Sequence, residues 1–175
     1  MMAVISLIGF MGVGKTTIAS ELAKSLNYKW IDMDKTIEEK QKMTISEIFN
    51  QYGEDYFRKL EHETLEEFVQ LEDVIIATGG GVVSQQNNRT LLCKNTAIIH
   101  LTANVQCILD RIIAQGIDSR PLLADAEYPL ETIHELLWQR KPWYDIAHFQ
   151  VDTTDQSTEQ VVQRIIDCLK IGGMI

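Results

Sequence analysis

The feature that most constrains this chain is a glycine-rich octapeptide near its start. The segment Gly9-Phe10-Met11-Gly12-Val13-Gly14-Lys15-Thr16 fits Gly-x-x-x-x-Gly-Lys-[Ser/Thr], the pattern of a phosphate-binding loop. The apolar run at 3–8 predicts a buried strand before the loop. Apolar residues at helical spacing from Ile18 to Leu26 predict a helix after it. This strand, loop and helix are the context in which the pattern carries meaning.

The residue types in this loop suit phosphate chemistry. Its glycines allow a tight turn in which several N–H groups face one anion, and the next helix adds its positive N-terminal end. Lys15 offers a positive charge to the terminal phosphates, and Thr16 offers a hydroxyl to Mg²⁺. The alternative, a turn that binds nothing, is disfavoured by the agreement of strand, loop and helix. The sequence predicts a nucleoside triphosphate site with magnesium.

Composition limits the function classes. At 175 residues with 45% hydrophobic residues, the chain is expected to form one domain with one core. A net charge of −9 argues against a general nucleic-acid binder, which needs a basic face. Cys93, Cys107 and Cys168 are predicted to be reduced core residues, because their spacing fits neither a metal site nor a disulfide framework.

The chain is expected to be cytoplasmic. No apolar run reaches membrane length, and the first strand begins too early to leave room for a signal peptide. The four histidines form no ligand pair at helical spacing, so no histidine metal site is predicted.

Strands and helices are predicted to alternate along the chain. Further strands are expected at 29–32, 74–77, 97–101 and 149–152, and helices up to residue 40 and at 44–52, 54–71, 105–115, 132–140 and 159–170. Thr44 and Glu47 form a capping-box pattern, and Gly53 is expected to break the helix that follows. Residues 116–129 are predicted to be a loop rather than a packed element, and the helix after them should stop before Pro142. The pattern predicts an α/β fold with a parallel sheet, right-handed crossovers and helices on both faces.

Several unusual residues directly follow predicted strands, where α/β folds bind ligands. Asp32 and Asp34 end the second strand, so one carboxylate could hold magnesium through water while the other orients or deprotonates an attacking hydroxyl. The alternative is that either aspartate caps the next helix. Gly79, Gly80 and Gly81 end the third strand, and both a tight turn and a close approach of substrate to the backbone are expected there.

Arginines are informative in so acidic a chain. Arg58 and Glu61, three apart on a helix, are either a solvated ion pair or an arginine held ready for a carboxylate. Arg120 is either an exposed loop residue or a lid residue that neutralises phosphoryl charge. Arg111 either stacks on adenine or faces water. Arg140 either serves the site or complements a helix dipole.

Together these segments resemble the shikimate kinase family. The likeness rests on six segments and covers nearly the whole chain: residues 9–16, Asp32-Met33-Asp34, Phe57-Arg58 with Glu61, Gly79-Gly80-Gly81, Arg120-Pro121-Leu122, and Arg140 with Tyr144. Each is weak evidence alone, but their order and separation are highly specific.

The resemblance implies an enzyme that transfers the γ-phosphate of ATP to the 3-hydroxyl of shikimate. It implies that Lys15, Asp34 and Arg120 are catalytic, and that Asp32 lies near magnesium with Thr16. The implied nucleotide-binding residues are Gly12, Val13, Gly14, Lys15, Thr16, Thr17, Arg111 and Arg120. The implied shikimate-binding residues are Asp34, Arg58, Gly79, Gly80, Gly81 and Arg140.

The resemblance also implies an architecture. It predicts a three-layer α/β/α fold of the nucleoside monophosphate kinase type, with five parallel strands in the order 2-3-1-4-5. Residues 34–61 would bind shikimate, residues 112–125 would form a lid, and the protein would be a monomer.

Related functions fit less well. A gluconate kinase would be expected to carry a histidine soon after the aspartates, where Lys35, Thr36 and Ile37 stand here. A nucleoside monophosphate kinase would need a base pocket that the sequence does not reveal. A GTPase switch would need an Asn-Lys-x-Asp segment, which is absent. An inactive regulator would be expected to lose Lys15, Asp34 or Arg58, and all three are present.

Overall fold

A parallel sheet forms the centre of the molecule. The computed structural model describes residues 4–116, 123 and 126–175. Its strands are β1 (Val4–Ile8), β2 (Lys29–Asp32), β3 (Val74–Ala77), β4 (Ala97–Thr102) and β5 (Phe149–Asp152). They pair in parallel in the order β2-β3-β1-β4-β5, as predicted.

Helices connect these strands. The described residues contain α1 (Lys15–Leu26), α2 (Met33–Gln41), α3 (Ile45–Tyr52), α4 (Glu54–Phe68), α5 (Gln86–Asn95), α6 (Val105–Gln115), α7 (Pro129–Tyr144) and α8 (Thr158–Ile171). A short 3₁₀ turn, Val82–Ser84, follows the glycines after β3. Helix α4 ends at Phe68, three residues before the predicted end.

The core lies on both faces of the sheet. Alternate residues of a strand point to opposite faces, and β1 divides accordingly. Ile5 and Leu7 pack with residues of α1, α6 and α8, whereas Val4 and Ile8 pack with residues of α4 and α5. All five residues of β1 are buried, which accounts for the mostly apolar sequence of this strand. The structure therefore has the predicted three layers.

A smaller cluster supports the segment beside β2. Ile37, Ile48 and Phe57, from α2, α3 and α4, form this separate apolar core. The predicted capping box is present, since Thr44 and Glu47 each bind the other's backbone N–H. Gly53, with φ of 83°, separates α3 from α4 as predicted.

The prediction for residues 116–140 was wrong in two respects. Helix α7 begins at Pro129 and continues through Pro142 to Tyr144, although proline usually interrupts a helix. Arg140 and Tyr144 flank this proline, and both are buried in tertiary contacts that hold the last turn. Leu123, predicted to lie in an unpacked loop, is fully buried in the main core.

The cysteines also differ from their prediction as core residues. Cys93 is exposed, and Cys107 and Cys168 are only half-buried. All three thiols are free, as expected. In the ranges that the structure describes, no helix is both long enough and apolar enough to cross a membrane.

Candidate active site

The loop between β1 and α1 has the backbone of a phosphate-binding loop. Gly14 precedes α1 with φ of 97°, a conformation that L side chains rarely adopt. A Cβ on Gly9 would lie 2.3 Å from the Leu101 carbonyl oxygen, so β4 and the loop approach each other closely here. Lys15 Nζ lies over the loop and donates to the carbonyl oxygens of Gly9, at 2.8 Å, and Phe10, at 2.9 Å.

Asp32 joins the end of β2 to the start of α1. Its Oδ2 accepts a hydrogen bond of 2.7 Å from the Thr16 hydroxyl, while its Oδ1 accepts from the Lys35 N–H at the start of α2. Asp32 therefore caps α2, which was one of the alternatives considered for it, and it also contacts the phosphate-binding loop. A hydroxyl and a carboxylate side by side are oxygen ligands of the kind that Mg²⁺ prefers.

Arg111 braces the phosphate-binding loop from α6. Its Nη1 donates to the carbonyl oxygens of Gly12 and Val13, both at 3.4 Å, and to the Thr153 hydroxyl at 2.9 Å. Its Nη2 donates to the Thr153 carbonyl oxygen at 2.9 Å. The side chain is thus fixed beside the loop rather than facing open water.

Asp34, Glu61 and Gly79 meet on the other side of the crevice. A Cβ on Gly79 would lie 2.6 Å from Asp34 Oδ1 and 2.9 Å from Glu61 Oε1. Only a bare backbone fits between these two carboxylates, so the turn needs glycine at this position. Asp34 lies in the first turn of α2 and is half-buried, so its carboxylate reaches the crevice.

Arg58 and Glu61 form a buried ion pair rather than a solvated one. Arg58 Nη1 lies 2.9 Å from Glu61 Oε2, and the two side chains are 15% and 1% exposed. Arg58 Nη2 also binds Glu54 Oε1, at 2.9 Å. Burial raises the pKa of Glu61 to about 7 against the opposing effect of Arg58, and Asp34 raises it further. Glu61 Oε1 is buried with no hydrogen-bond partner and faces Gly79.

Arg140 reaches from α7 to the backbone turn at residues 79–81, called the glycine turn below. It is 8% exposed, and its Nη1 donates to the Gly80 carbonyl oxygen at 3.0 Å. Its guanidinium lies over the Phe10 ring, 5.3 Å from the centroid. The helix-dipole explanation for Arg140 is therefore insufficient, because a buried tertiary contact holds the side chain.

Tyr144 and His100 lie behind this contact. Tyr144 is within 3.5 Å of the Gly80 carbonyl oxygen and stacks on His100 with centroids 4.3 Å apart. Burial, assisted by the charge of Lys15, lowers the pKa of His100 to about 4. The imidazole is therefore neutral near pH 7. No local sequence pattern marks His100 as a site residue, because its position in β4 resembles that of a core residue.

These groups surround one crevice at the carboxyl ends of β1, β2 and β3. It is lined by Met11, Gly12, Gly14, Lys15, Thr16, Thr17, Asp32, Asp34, Thr78, Gly80 and Gln115. Arg58, Glu61 and Arg140 approach the glycine turn that forms one wall of the crevice. Arg120 and most of the predicted lid lie outside the described residues. Within the described ranges, no group of three or more His, Cys, Asp or Glu side chains could hold a metal ion.

Comparison with known proteins identifies the family. The family model described as shikimate kinase matches residues 11–170. The chain belongs to the shikimate kinase family. It is 44% identical to the shikimate kinase of Caldanaerobacter subterraneus subsp. tengcongensis over 170 residues, which cover 97% of this chain and 98% of that protein. Members of this family are kinases, so the chain is a phosphotransferase.

The solved structures agree with this assignment. The shikimate kinase from Acinetobacter baumannii, determined in complex with shikimate, superposes with a TM-score of 0.93 at 32% identity. The match covers 99% of this chain and 96% of that one. A gluconokinase from Sinorhizobium meliloti matches with a TM-score of 0.56 at 13% identity, over 97% of this chain and 92% of that chain, so it shares the fold alone. Gluconate kinase is the weaker alternative, as the residues after Asp34 predicted.

Proposed function

We propose that the chain transfers the γ-phosphate of ATP to the 3-hydroxyl of shikimate, giving shikimate 3-phosphate and ADP. The observation that carries this proposal is the convergence of Asp34, the Arg58–Glu61 pair and Gly79 across the crevice from Lys15. Shikimate is a small carboxylate with several hydroxyls, and this set offers both cations and a carboxylate. The complex of the Acinetobacter baumannii relative with shikimate supports the same acceptor.

The acceptor carboxylate would bind at the glycine turn. Arg58 and Arg140 approach this turn from α4 and α7, and each guanidinium can present two N–H groups to a carboxylate. The backbone at Gly79, Gly80 and Gly81 would complete the site, since the absence of side chains allows close approach. In a chain with a net charge of −9, these local cations are needed to hold an anion.

The nucleotide would bind at the loop after β1. Backbone N–H groups of residues 12–17 and the positive end of α1 suit the phosphates. Lys15 would exchange its bonds to the loop carbonyls for bonds to the terminal phosphates. Arg111 would lie against adenine, and the family resemblance alone assigns Arg120 to the transferring phosphoryl group.

The residues beside the loop fit a magnesium ion. The Thr16 hydroxyl and the Asp32 carboxylate lie 2.7 Å apart, and they would hold the ion directly and through water, respectively. Bound magnesium would neutralise charge on the phosphates as the phosphoryl group transfers.

Asp34 would act on the acceptor hydroxyl. It would accept the hydroxyl proton as the oxygen forms a bond to the γ-phosphorus and the bond from that phosphorus to the ADP oxygen breaks. Glu61 is the less suitable base, because its side chain is almost fully buried and Arg58 occupies one of its oxygens. Two neighbouring carboxylates in different environments can thus have different roles.

The remaining expectations complete the proposal. The protein would act in the cytoplasm as a monomer built from one domain, with residues 34–61 as the shikimate-binding segment and residues 112–125 as a lid. Its partners would be ATP and shikimate, with no nucleic acid and no membrane.

The Asp34→Asn variant tests the proposed chemistry. It preserves the shape of the side chain but removes the base, so ATP should bind with unchanged affinity while kcat falls about 100-fold or more. Phosphorus and proton NMR of the wild-type product should place the phosphate on the 3-hydroxyl. Asp145→Asn, an exposed aspartate in an ion pair at the end of α7, is the matched control. Near-normal turnover of Asp34→Asn would contradict the role, and a phosphate on another hydroxyl would contradict the reaction.

A further inference from the structure

Asn88 is a fully buried polar residue outside the site described above. It lies near the start of α5, with 0% exposure. Its Oδ1 is 2.7 Å from Nδ1 of His62 on α4, and its Nδ2 donates to the Val82 carbonyl oxygen at 3.1 Å. The Asn88 amide thus contacts both α4 and the backbone that follows the glycine turn.

The amide fixes the direction of both hydrogen bonds. Because the Asn88 NH₂ group donates to Val82, its oxygen is the acceptor, and His62 must carry a proton on Nδ1. His62 follows Glu61 directly and lies four residues after Arg58 on the same helix. The bridge therefore ties the part of α4 that carries Arg58 and Glu61 to the chain leaving the glycine turn.

The neighbouring residue extends this bridge. Arg89 Nη1 donates to the carbonyl oxygens of Val83, at 2.5 Å, and Ser84, at 2.9 Å. Its guanidinium also lies 5.9 Å from the Trp143 ring centroid on α7. Consecutive carbonyls after Gly81 are therefore held from α5. Inside the turn, the Val82 and Ser84 N–H groups donate back to Gly79 and Gly81.

The bridge maintains a narrow gap between the glycine turn and the Arg58 guanidinium. A Cβ on Gly81 would lie 2.6 Å from Arg58 Nη1, so the turn and the guanidinium are already close. A small displacement of the turn relative to α4 would therefore change the position of Arg58 against the backbone that receives the acceptor. Even a small misplacement of a binding group can weaken binding at a preorganised site.

We infer that Asn88 is a positioning residue, which sets the distance between Arg58 on α4 and the glycine turn and thereby the affinity for the acceptor. This inference rests on the proposed function, because it takes Arg58 and the turn as the acceptor site. The nucleotide loop has no part in the bridge, so nucleotide binding should not depend on Asn88.

The Asn88→Ala variant tests whether Asn88 affects acceptor binding but not nucleotide binding. It removes both hydrogen bonds of the Asn88 amide, so it should raise the KM for shikimate about tenfold and leave the KM for ATP within about twofold. Asn87→Ala is the matched control, since Asn87 is the adjacent residue on the same helix and is exposed. Ile165→Val, at a core position of α8, controls for lost stability alone. Equal changes in both KM values, or no change for shikimate, would overturn the inference.

His62 provides an independent test if Asn88→Ala folds poorly. His62→Leu removes the half-buried imidazole that contacts Asn88 and should raise the KM for shikimate about threefold. Glu66→Gln removes the negative charge 3.6 Å from His62 Nε2 and should leave that KM unchanged. In a double-mutant cycle, the effects of His62→Leu and Asn88→Ala should be less than additive. Additive effects, or an unchanged KM in His62→Leu, would overturn the inference, whereas a wild-type enzyme inactive on shikimate would overturn the proposed function itself.

Discussion

The Thr16 hydroxyl donates to Oδ2 of Asp32 across 2.7 Å, and this contact joins the phosphate-binding loop to the end of β2. The two residues are 16 positions apart in the sequence and belong to different elements. Parallel strands bring them together, because the carboxyl ends of β1, β3 and β2 lie at one edge of the sheet. The contact brings together the hydroxyl and the carboxylate that we propose as the magnesium-holding groups.

Replacing Thr16 should therefore change the response to magnesium. Thr16→Val keeps the shape of the side chain but removes the hydroxyl, so the Mg²⁺ concentration for half-maximal activity should rise about tenfold or more. Kinetic titration with Mg²⁺ at saturating ATP measures this. Thr90→Val, which removes an exposed hydroxyl on α5, should leave the titration unchanged. An unchanged titration in Thr16→Val would contradict the assignment.

Adding one methyl group at Gly79 or Gly81 should have different kinetic effects. Gly79→Ala places a Cβ 2.6 Å from Asp34 Oδ1, so it should displace the base and lower kcat about tenfold or more. Gly81→Ala places a Cβ 2.6 Å from Arg58 Nη1, so it should mainly raise the KM for shikimate. Steady-state kinetics with both substrates separate the two effects. The same change in both variants would mean that the turn simply loses its shape.

Glu61 should make the protein less stable as the pH rises. Its pKa is about 7 in the folded protein and 4.5 when unperturbed. The folded state thus binds the Glu61 proton more tightly than the unfolded state does. The stability that the protonated carboxyl contributes is fully present below pH 4.5 and is lost as the pH rises to about 7. Relative to Glu61→Gln, the wild type should lose on the order of 1 to 3 kcal/mol across this window. Urea unfolding at pH 5 and pH 8 measures the difference, and a constant difference would contradict the buried carboxyl.

His100 should have the opposite pH dependence. Its pKa is lowered from 6.5 to about 4, so the folded state binds this proton less tightly than the unfolded state. The stability it contributes is present above pH 6.5 and is lost as the pH falls towards 4. His100→Phe keeps an aromatic ring against Tyr144 and should lose less stability between pH 7 and pH 5 than the wild type does. Parallel pH curves for the two proteins would show that the imidazole is not buried as described.

Features with a local pattern could be predicted from the sequence. The phosphate-binding loop, the aspartates after β2 and the glycines after β3 each follow an apolar strand, and the α/β topology then brings strand ends together. The spacing of Arg58 and Glu61 predicted an ion pair but not its burial. That burial depends on α2 and the glycine turn, which pack against the pair from outside α4.

Features that depend on distant partners could not be predicted. Asn88 is an ordinary helix residue by pattern, and its role depends on His62, 26 positions earlier. Tyr144 approaches Gly80 across 64 positions, and this contact stabilises the helix turn that contains Pro142. A proline rule based on local propensity ended the helix too early because tertiary contacts compensate for the lost backbone hydrogen bond. Leu123 could not be predicted as a core residue either, because no apolar residues at helical or strand spacing surround it in the sequence.

The most direct measurement is ADP release by the purified protein with Mg·ATP, in the presence of shikimate, gluconate or AMP. Shikimate alone should stimulate ADP release, and Arg58→Lys and Arg140→Lys should raise the KM for shikimate because lysine cannot make paired contacts to a carboxylate. Arg164→Lys, on the exposed face of α8, should behave like the wild type. ATP binding without stimulation by shikimate would contradict the account, since the arginines at the glycine turn would then serve another anion.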